Sequence, residues 1–405
     1  MKHTIAIVGA GSAGIATASS LLGRNPDLDI AIIDPQQEHY YQPGWTMVGG
    51  GIFDASTTQK PTRSLIPSGV TWIQQSVTTF QPETNQLTLD DGSVVEYDYL
   101  VTAPGLQLDF DKIEGLTETL GQNGVTSNYR YDLAPYTWDL VQNLKDGVAL
   151  FTQPPMPIKC AGAPQKAMYL SCDHWSKQDV LKNIDVKFCN AGPVLFGVAD
   201  FVPALMQYVE RYDADLCFGE SLVKVDGPAQ VAWFKSAETG ELIERPFDML
   251  HVVPPQSAPD FIKSSPLAAE SGWIDVDQFT LQHQRYENVY GLGDATTTPN
   301  AKTMAAARKQ APIVAANITA QMQGLKGRAK YDGYGACPLT VENGKIVMAE
   351  FGYGGKLLPT FPSWLLKGTQ PTRVAWHLKA NILPTVYWEH MLKGKEYFAK
   401  PVLEE

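Results

Sequence analysis

The chain opens on a compact β-branched and apolar run, Thr4 to Val8. It passes through Gly9-Ala10-Gly11-Ser12-Ala13-Gly14 and continues as the helix-forming stretch Ile15 to Leu22. That order predicts a strand, a tight turn and a helix. A second apolar run, Asp29 to Ile33, predicts a further strand and ends in Asp34. Two more strands are predicted at Gly147 to Thr152 and Asp185 to Phe188, with a helix at Gln165 to Val180 between them. After Gly344 the pattern changes. Between Arg373 and Lys395, Val374, Leu378 and Ile382 form one stripe at helical spacing, and Trp376, Leu383, Tyr387 and Met391 form another. Such a segment is apolar around much of its circumference, and Pro384 is predicted to divide it into two short helices.

Strand–helix alternation of this kind predicts an α/β protein with two doubly wound, Rossmann-like domains and an amphipathic helical C-terminal segment. The length of 405 residues suits two such cores plus an appendage. The first turn carries chemistry. Gly9 permits the turn, Gly11 lets backbone approach a pyrophosphate alongside Ser12 and Ala13, and Gly14 lets helix pack on strand. The helix N-terminus then faces the phosphates. Asp34, twenty residues beyond Gly14, is placed to accept from an adenosine ribose hydroxyl, which favours FAD or NAD over NADP.

Two later segments choose between these dinucleotides. Tyr97-Asp98-Tyr99-Leu100-Val101-Thr102-Ala103-Pro104-Gly105 resembles the returning strand and loop of flavoproteins with two dinucleotide-binding domains, which makes Ala103 and Gly105 candidate contacts. Asn288-Val289-Tyr290-Gly291-Leu292-Gly293-Asp294 resembles their second flavin signature, with Gly293 and Asp294 near the ribityl or pyrophosphate region. Together they imply FAD. A helix expected from Ala301 turns its positive end to the isoalloxazine, where Lys302 would stabilise a reduced, anionic flavin. The expected organisation is residues 1–110 and 285–325 as the FAD-binding domain, 111–284 as a degenerate second domain, and 326–405 as a C-terminal interaction region.

The second domain lacks the loop that a nicotinamide would need. Its first strand runs into Gln153-Pro154-Pro155-Met156-Pro157-Ile158-Lys159-Cys160-Ala161-Gly162-Ala163-Pro164, which cannot reproduce a G-x-G-x-x-G cradle. Its second strand is followed by Cys189-Asn190-Ala191-Gly192, with neither a carboxylate for an NAD ribose nor an Arg for a 2′-phosphate. NAD(P)H is therefore not the expected electron donor.

Charge and cysteine usage narrow the class further. A net charge of −11 with no basic patch argues against nucleic acid. Five cysteines do not make a disulfide scaffold. Without C-x-x-C or H-E-x-x-H spacing, no metal site is expected. Cys160 and Cys337 lie in loops flanked by Gly and Pro, whereas Cys172, Cys189 and Cys217 read as small buried hydrophobes. Lys159 and Lys166 flank Cys160, and Lys166 stands at a helix start, the better place to favour a thiolate. The N-terminus begins a strand at once, so no secretory signal is expected. No apolar run approaches the roughly 20 residues of a spanning helix.

His39-Tyr40-Tyr41-Gln42-Pro43-Gly44-Trp45-Thr46, the Pro157 to Lys166 segment, and Tyr331-Asp332-Gly333-Tyr334 running to Cys337-Pro338-Leu339 are similar to the sulfide:quinone oxidoreductase family. The likeness is to its two-cysteine group, which includes the mitochondrial enzyme. This resemblance spans nearly the whole chain. It implies a redox disulfide between Cys160 and Cys337 beside FAD, with Pro43 among the cofactor contacts. Sulfide opens that disulfide, leaving one sulfur as a persulfide while the other, freed as a thiolate, engages flavin C4a. Electrons leave to a quinone and the sulfane sulfur to glutathione, sulfite, cyanide or another sulfide. The persulfide is expected on Cys160 and the flavin contact on Cys337.

A quinone requires access to lipid. Trp364, Trp376, Tyr387 and Trp388, with Lys367, Lys379, Lys393 and Lys395, have the composition of a segment at a bilayer surface. The expected location is peripheral, on a bacterial inner membrane or its equivalent, and Phe351, Tyr353, Phe361 and Lys379 are the candidate quinone contacts. The composition equally suits a helix packed on its own core or on a second subunit, and oligomeric state is left open. Two other functions fit the residues: a flavoprotein sulfide dehydrogenase passing electrons to cytochrome c, and a non-catalytic FAD-binding redox sensor.

Overall fold

In a computed structural model that describes residues 1–404, the first apolar run is β1 (Lys2–Val8). The glycine turn feeds α1 (Ser12–Arg24), and β2 (Ile30–Ile33) follows. β2 pairs with β3 (Val70–Ile73), and the other edge of β1 pairs with β4 (Val94–Thr102), all in parallel. Ile7 thus lies between Ile32 and Val101. β2 is buried along its whole length, as a parallel strand covered on both faces must be, and so it reads as a continuous apolar run rather than an alternating one. Ile15, Ala18 and Leu21 of α1 share one core with Ile5, Ile7, Ile30 and Ile32.

The second layer system repeats this plan. It contains β5 (Gly147–Gln153), α2 (Ala163–Lys177), β6 (Ile184–Asn190), β7 (Asp215–Phe218) and β8 (Met249–His251). They form a parallel sheet ordered Val125–Thr126, β8, β5, β6, β7. Phe151, Phe188 and Trp175 fill one of its faces, and Leu150, Cys189 and Leu250 the other. α2 starts two residues before the expected Gln165, because Pro164 is tolerated in a first turn, where its missing N–H has no partner to lose.

The chain then returns to the first sheet. β9 (Val289–Gly291) joins β4 at Leu100–Thr102 in parallel. α3 (Met304–Met322) begins three residues later than the Ala301 expected, since Thr303 is its N-cap and accepts from the Ala306 N–H at 3.2 Å. β10 (Gly335–Glu342) and β11 (Lys345–Phe351) form an antiparallel hairpin. Its alternation gives it two faces: Cys337, Leu339, Val341, Val347 and Ala349 enter the core around α2, while Ala336, Pro338, Met348 and Glu350 point the other way.

The tail differs from expectation at Pro384. Residues 373–389 keep helical backbone throughout, with wide π-type turns over Leu378–Ile382 and Val386–His390 on either side of a short α-turn, Leu383–Thr385. Pro384 falls in the first turn of that segment, and the widened turns around it absorb the ring and the missing donor without a break. Tyr387, Trp388, Met391 and Leu392 are buried in the first core, and Ser19 Oγ donates to Leu392 O at 2.6 Å. Among the described residues, no helix is long and apolar enough to cross a membrane.

Candidate active site

A cavity of about 520 Å³ is walled by the first glycine turn, the Ala103–Gly105 loop, the β5–α2 loop, the start of α3, the β10–β11 hairpin and the tail. Of the residues singled out in the sequence, Gly9, Gly11, Ser12, Ala13, Asp34, Pro43, Ala103, Gly105, Cys160, Lys166, Gly293, Asp294, Lys302, Phe361 and Lys379 line it. Gly14 and Cys337 stand just behind the wall, and Phe351 and Tyr353 do not reach it. Phe351 packs edge-on against Phe196 in the second core, and the Tyr353 hydroxyl donates to Gln278 O at 2.5 Å beside Phe279.

The glycine end fits a dinucleotide. A Cβ on Gly14 would lie 1.9 Å from Gly9 O, and one on Gly9, at φ +107°, 2.3 Å from Ala103 O, so neither position accepts a side chain. Gly11 has open space before it, and no side chain caps the first N–H groups of α1, which are left for an anion. The Asp34 carboxylate accepts from Ala10 N at 2.6 Å and from Gln36 N at 2.8 Å. Burial outweighs these two donors and holds its pKa above the usual carboxylate value.

Further along, the cavity fits the polar edge of a heterocycle. Trp45 Nε1, Thr46 Oγ1 and both amide atoms of Asn128 are buried polar atoms without protein partners, and all three residues line the wall. Gly293 N donates to Gln310 Oε1 at 2.8 Å, which fixes the second flavin-like loop on α3. Burial raises the Asp294 pKa, opposed by Lys302 and Lys159. Lys302 is itself buried over the Trp273 ring, donates to Thr296 O at 2.9 Å, and is lowered to about 8 by burial.

The cysteine pair is the most reactive feature of the wall. Cys160 N donates to Lys302 O at 2.8 Å, so the second domain's proline-rich loop is stitched to the flavin-like loop of the first. Cys160 sits at φ +49°, a left-handed conformation costing roughly 1 kcal/mol for a residue with a side chain. Its Sγ lies 3.7 Å from Cys337 Sγ and 3.2 Å from Lys166 Nζ. A hydrogen bond from Cys337 and the Lys166 charge overcome burial and hold the Cys160 thiol well below its ordinary pKa. Cys337 moves the opposite way, because it donates to Cys160 and is buried. Lys166 stays charged: burial is outweighed by the thiolate beside it.

The tail supplies the far wall. Lys379 Nζ donates to Pro43 O at 2.7 Å, and burial and then repulsion from Lys166 bring its pKa down to about 7. Phe361 and Phe398 meet edge to face, with ring centres 6.0 Å apart. Sequence reasoning gives no role in the site to three members of this region: Tyr387, expected at a bilayer surface but buried here, Tyr334, named only within the family-like motif, and Glu350. Tyr387 Oη bridges Ser12 Oγ (2.7 Å) and His39 Nε2 (2.5 Å), which ties the tail to the glycine turn. Glu350 and Tyr334 also line the cavity. A single charge inside the apolar strand Ile346-Val347-Met348-Ala349-Glu350-Phe351 was the available signal for the first of these.

Away from the cavity, ligand atoms of Cys189, Cys217 and Glu220 lie within 4.8 Å of one another. Arg245 occupies the carboxylate through both its Nε (3.2 Å) and its Nη2 (2.7 Å), the position a cation would require.

Residues 3–141 match the family model described as pyridine nucleotide-disulphide oxidoreductase. The mitochondrial sulfide:quinone oxidoreductase of Dictyostelium discoideum is 40% identical, over 98% of this chain and 88% of that protein. The mitochondrial enzyme of Mus musculus is 39% identical, over 97% and 87%. The solved sulfide:quinone oxidoreductase of Aquifex aeolicus superposes with a TM-score of 0.81 over 100% of this chain and 98% of that one, at 20% identity, a likeness of fold.

Proposed function

We propose that this chain, which belongs to the sulfide:quinone oxidoreductase family, oxidises sulfide at the Cys160–Cys337 pair and passes the electrons through FAD to a membrane quinone. The observation that carries this reading is the thiol pair itself: two sulfurs 3.7 Å apart, held by Lys166, at the wall of a dinucleotide cavity and in the place of a nicotinamide loop.

The geometry favours a division of labour opposite to the one expected from the sequence. In an oxidised pair the sulfur that leaves is the one better stabilised as a thiolate. Cys160 has the cation and the depressed pKa, so sulfide attacks Cys337 Sγ, the S–S bond breaks, and Cys160 leaves as a thiolate beside Lys166. Cys337 then carries the added sulfur as a persulfide. A nucleophilic acceptor such as glutathione, sulfite, cyanide or a second sulfide removes that sulfur. Renewal of the Cys160–Cys337 bond releases two electrons on the cavity side, where Cys160 stands. FAD held in this cavity would supply the two-electron acceptor between the thiol pair and the quinone. Gly9, Gly11, Ser12, Ala13 and Asp34 would hold its adenosine and pyrophosphate, and Gly293, Asp294 and Lys302 its flavin end.

The tail supports peripheral attachment to a membrane. Trp364 is 83% exposed and Phe398 68%, and Leu365, Val374 and Ile382 are exposed with them. Phe361, Ile382 and Phe398 from the same region line the cavity, which therefore opens toward an apolar surface suited to a quinone tail.

Anaerobic titration of the purified protein tests the reading. Sulfide bleaches the flavin, a short-chain quinone restores its colour, and Cys160→Ser or Cys337→Ser abolishes the bleaching. Prompt bleaching by NADH with no response to sulfide sinks the proposal.

A further inference from the structure

One buried carboxyl in the cavity takes no part in the steps above. Glu350 lies on the cavity face of β11, opposite Ala336 and two residues from Met348, and is 4% exposed. A carboxyl in such a strand is costly unless its oxygens are satisfied. Only one of them is. Oε1 accepts from Thr360 Oγ1 at 2.5 Å, Tyr334 Oη at 2.6 Å and Thr360 N at 3.2 Å. Among the described residues, Oε2 has no hydrogen-bond partner, and no Lys or Arg comes within ion-pair distance of the carboxyl. The three donors fix the carboxyl plane and leave its second oxygen to the cavity, whose lining includes Met348, Phe361 and Phe398 as well as Arg308, with Lys309 close enough to feel the Glu350 charge.

We propose that Glu350 is the proton donor to the quinone, with Oε2 hydrogen-bonded to a quinone carbonyl oxygen and Thr360 and Tyr334 serving as the relay that recharges it. This rests on the reading of the cavity as the site of quinone reduction. Conversion of a quinone to a quinol takes two electrons and two protons. The electrons come from sulfide oxidation through FAD. The Glu350 O–H bond breaks as a quinone O–H bond forms, leaving a carboxylate. Thr360 is only partly buried, so it connects that carboxylate to water, which returns the proton to Oε1, and a half-turn of the carboxyl carries it to the cavity side. The second proton follows the same path. Asp34 and Asp294, the other carboxylates of the wall, belong to the glycine turn and to the Lys302 and Lys159 cluster.

The test separates the two half-reactions in the intact flavin-loaded protein. In Glu350→Gln the side-chain shape and the Oε1 acceptor are kept while the transferable proton is lost. Bleaching by sulfide is expected to stay within about twofold of native, while reoxidation by a saturating short-chain quinone slows about 100-fold, the usual scale of a lost general acid. Thr360→Val, which keeps the shape of the relay but not its hydroxyl, slows reoxidation by about tenfold and enlarges its solvent isotope effect in D₂O. Native-rate reoxidation in Glu350→Gln overturns the proposal, as does a higher quinone KM with an unchanged limiting rate. Should Glu350→Gln fail to retain flavin, Thr360→Val and Tyr334→Phe decide alone, and unchanged reoxidation rates in both overturn it. Failure of the native protein to be bleached by sulfide, or reoxidised by quinone, removes instead the reading on which it rests.

Discussion

Lys166 and Cys160 are six positions apart and meet because a loop and the first turn of α2 fold onto one another, with Nζ 3.2 Å from Sγ. With Lys166→Met the charge disappears while the bulk remains. The thiolate then loses a cation in a poorly solvated wall, and its pKa rises. Alkylation of Cys160 in the reduced protein at pH 7, followed by peptide mass mapping, is expected to slow at least about tenfold, since one pKa unit is a tenfold change in the thiolate population near the titration midpoint. An unchanged rate would remove Lys166 from the chemistry. Two histidines show the opposite use of burial. His39 and His251 are held near about 4, below the ordinary 6.5, because burial excludes the charged ring. Between those values the unfolded chain binds protons that the folded chain refuses. Stability is therefore complete above pH 6.5 and is lost as pH falls toward 4, by about 2 kcal/mol per ring at pH 5. His251→Gln should narrow the gap between melting temperatures at pH 7 and pH 5, and an unaltered gap would assign the acid sensitivity elsewhere. Of these residues, Lys166 was legible from its place beside Cys160. The histidines were not, because a pKa depends on packing contributed by distant segments.

Elements were legible where period and turn chemistry agreed, as in β1, the glycine turn and α1, and less so where distant segments intervene. The helical continuity across Pro384 depends on widened turns braced by the first core, and spacing alone carries no signal for that. The link from Tyr387 to Ser12 joins positions 375 apart in the chain. It has a testable consequence: Tyr387→Phe keeps the ring but breaks both hydrogen bonds, leaving His39 Nε2 buried without its partner. A loss of about 1–3 kcal/mol is expected. Because one end of this chain is the glycine turn, the loss should appear as faster release of flavin in mild urea; release at the native rate would confine Tyr387 to packing. At the other side of the cavity, Thr303→Ala removes the cap of α3 and should lower stability by about 1 kcal/mol, measured by urea unfolding.

For the whole molecule, the distribution of charge decides how it meets a membrane. With a net charge of −11 the chain is repelled by anionic lipid, so surface electrostatics do not attract it. Attachment then depends on the exposed apolar side chains of the tail. Trp364 and Phe398 are the most exposed aromatic residues there, and burying each contributes about 1.5–3 kcal/mol. Removing both side chains and adding two negative charges in Trp364→Glu, Phe398→Glu should weaken binding to phosphatidylcholine vesicles by at least about 100-fold, because 1.4 kcal/mol is a factor of ten. Flotation of native protein with those vesicles should be the same in 50 mM and in 500 mM salt, conditions that screen charge but leave hydrophobic burial intact. The double variant should still be bleached by sulfide, since the Cys160–Lys166 contact involves neither residue. Its reoxidation by a long-chain quinone in vesicles should fall further than that by a soluble short-chain quinone. Binding that collapses in high salt, or a variant that floats like the native protein, would place the membrane contact on another surface and break the proposed connection between the exposed tail and the route by which quinone enters.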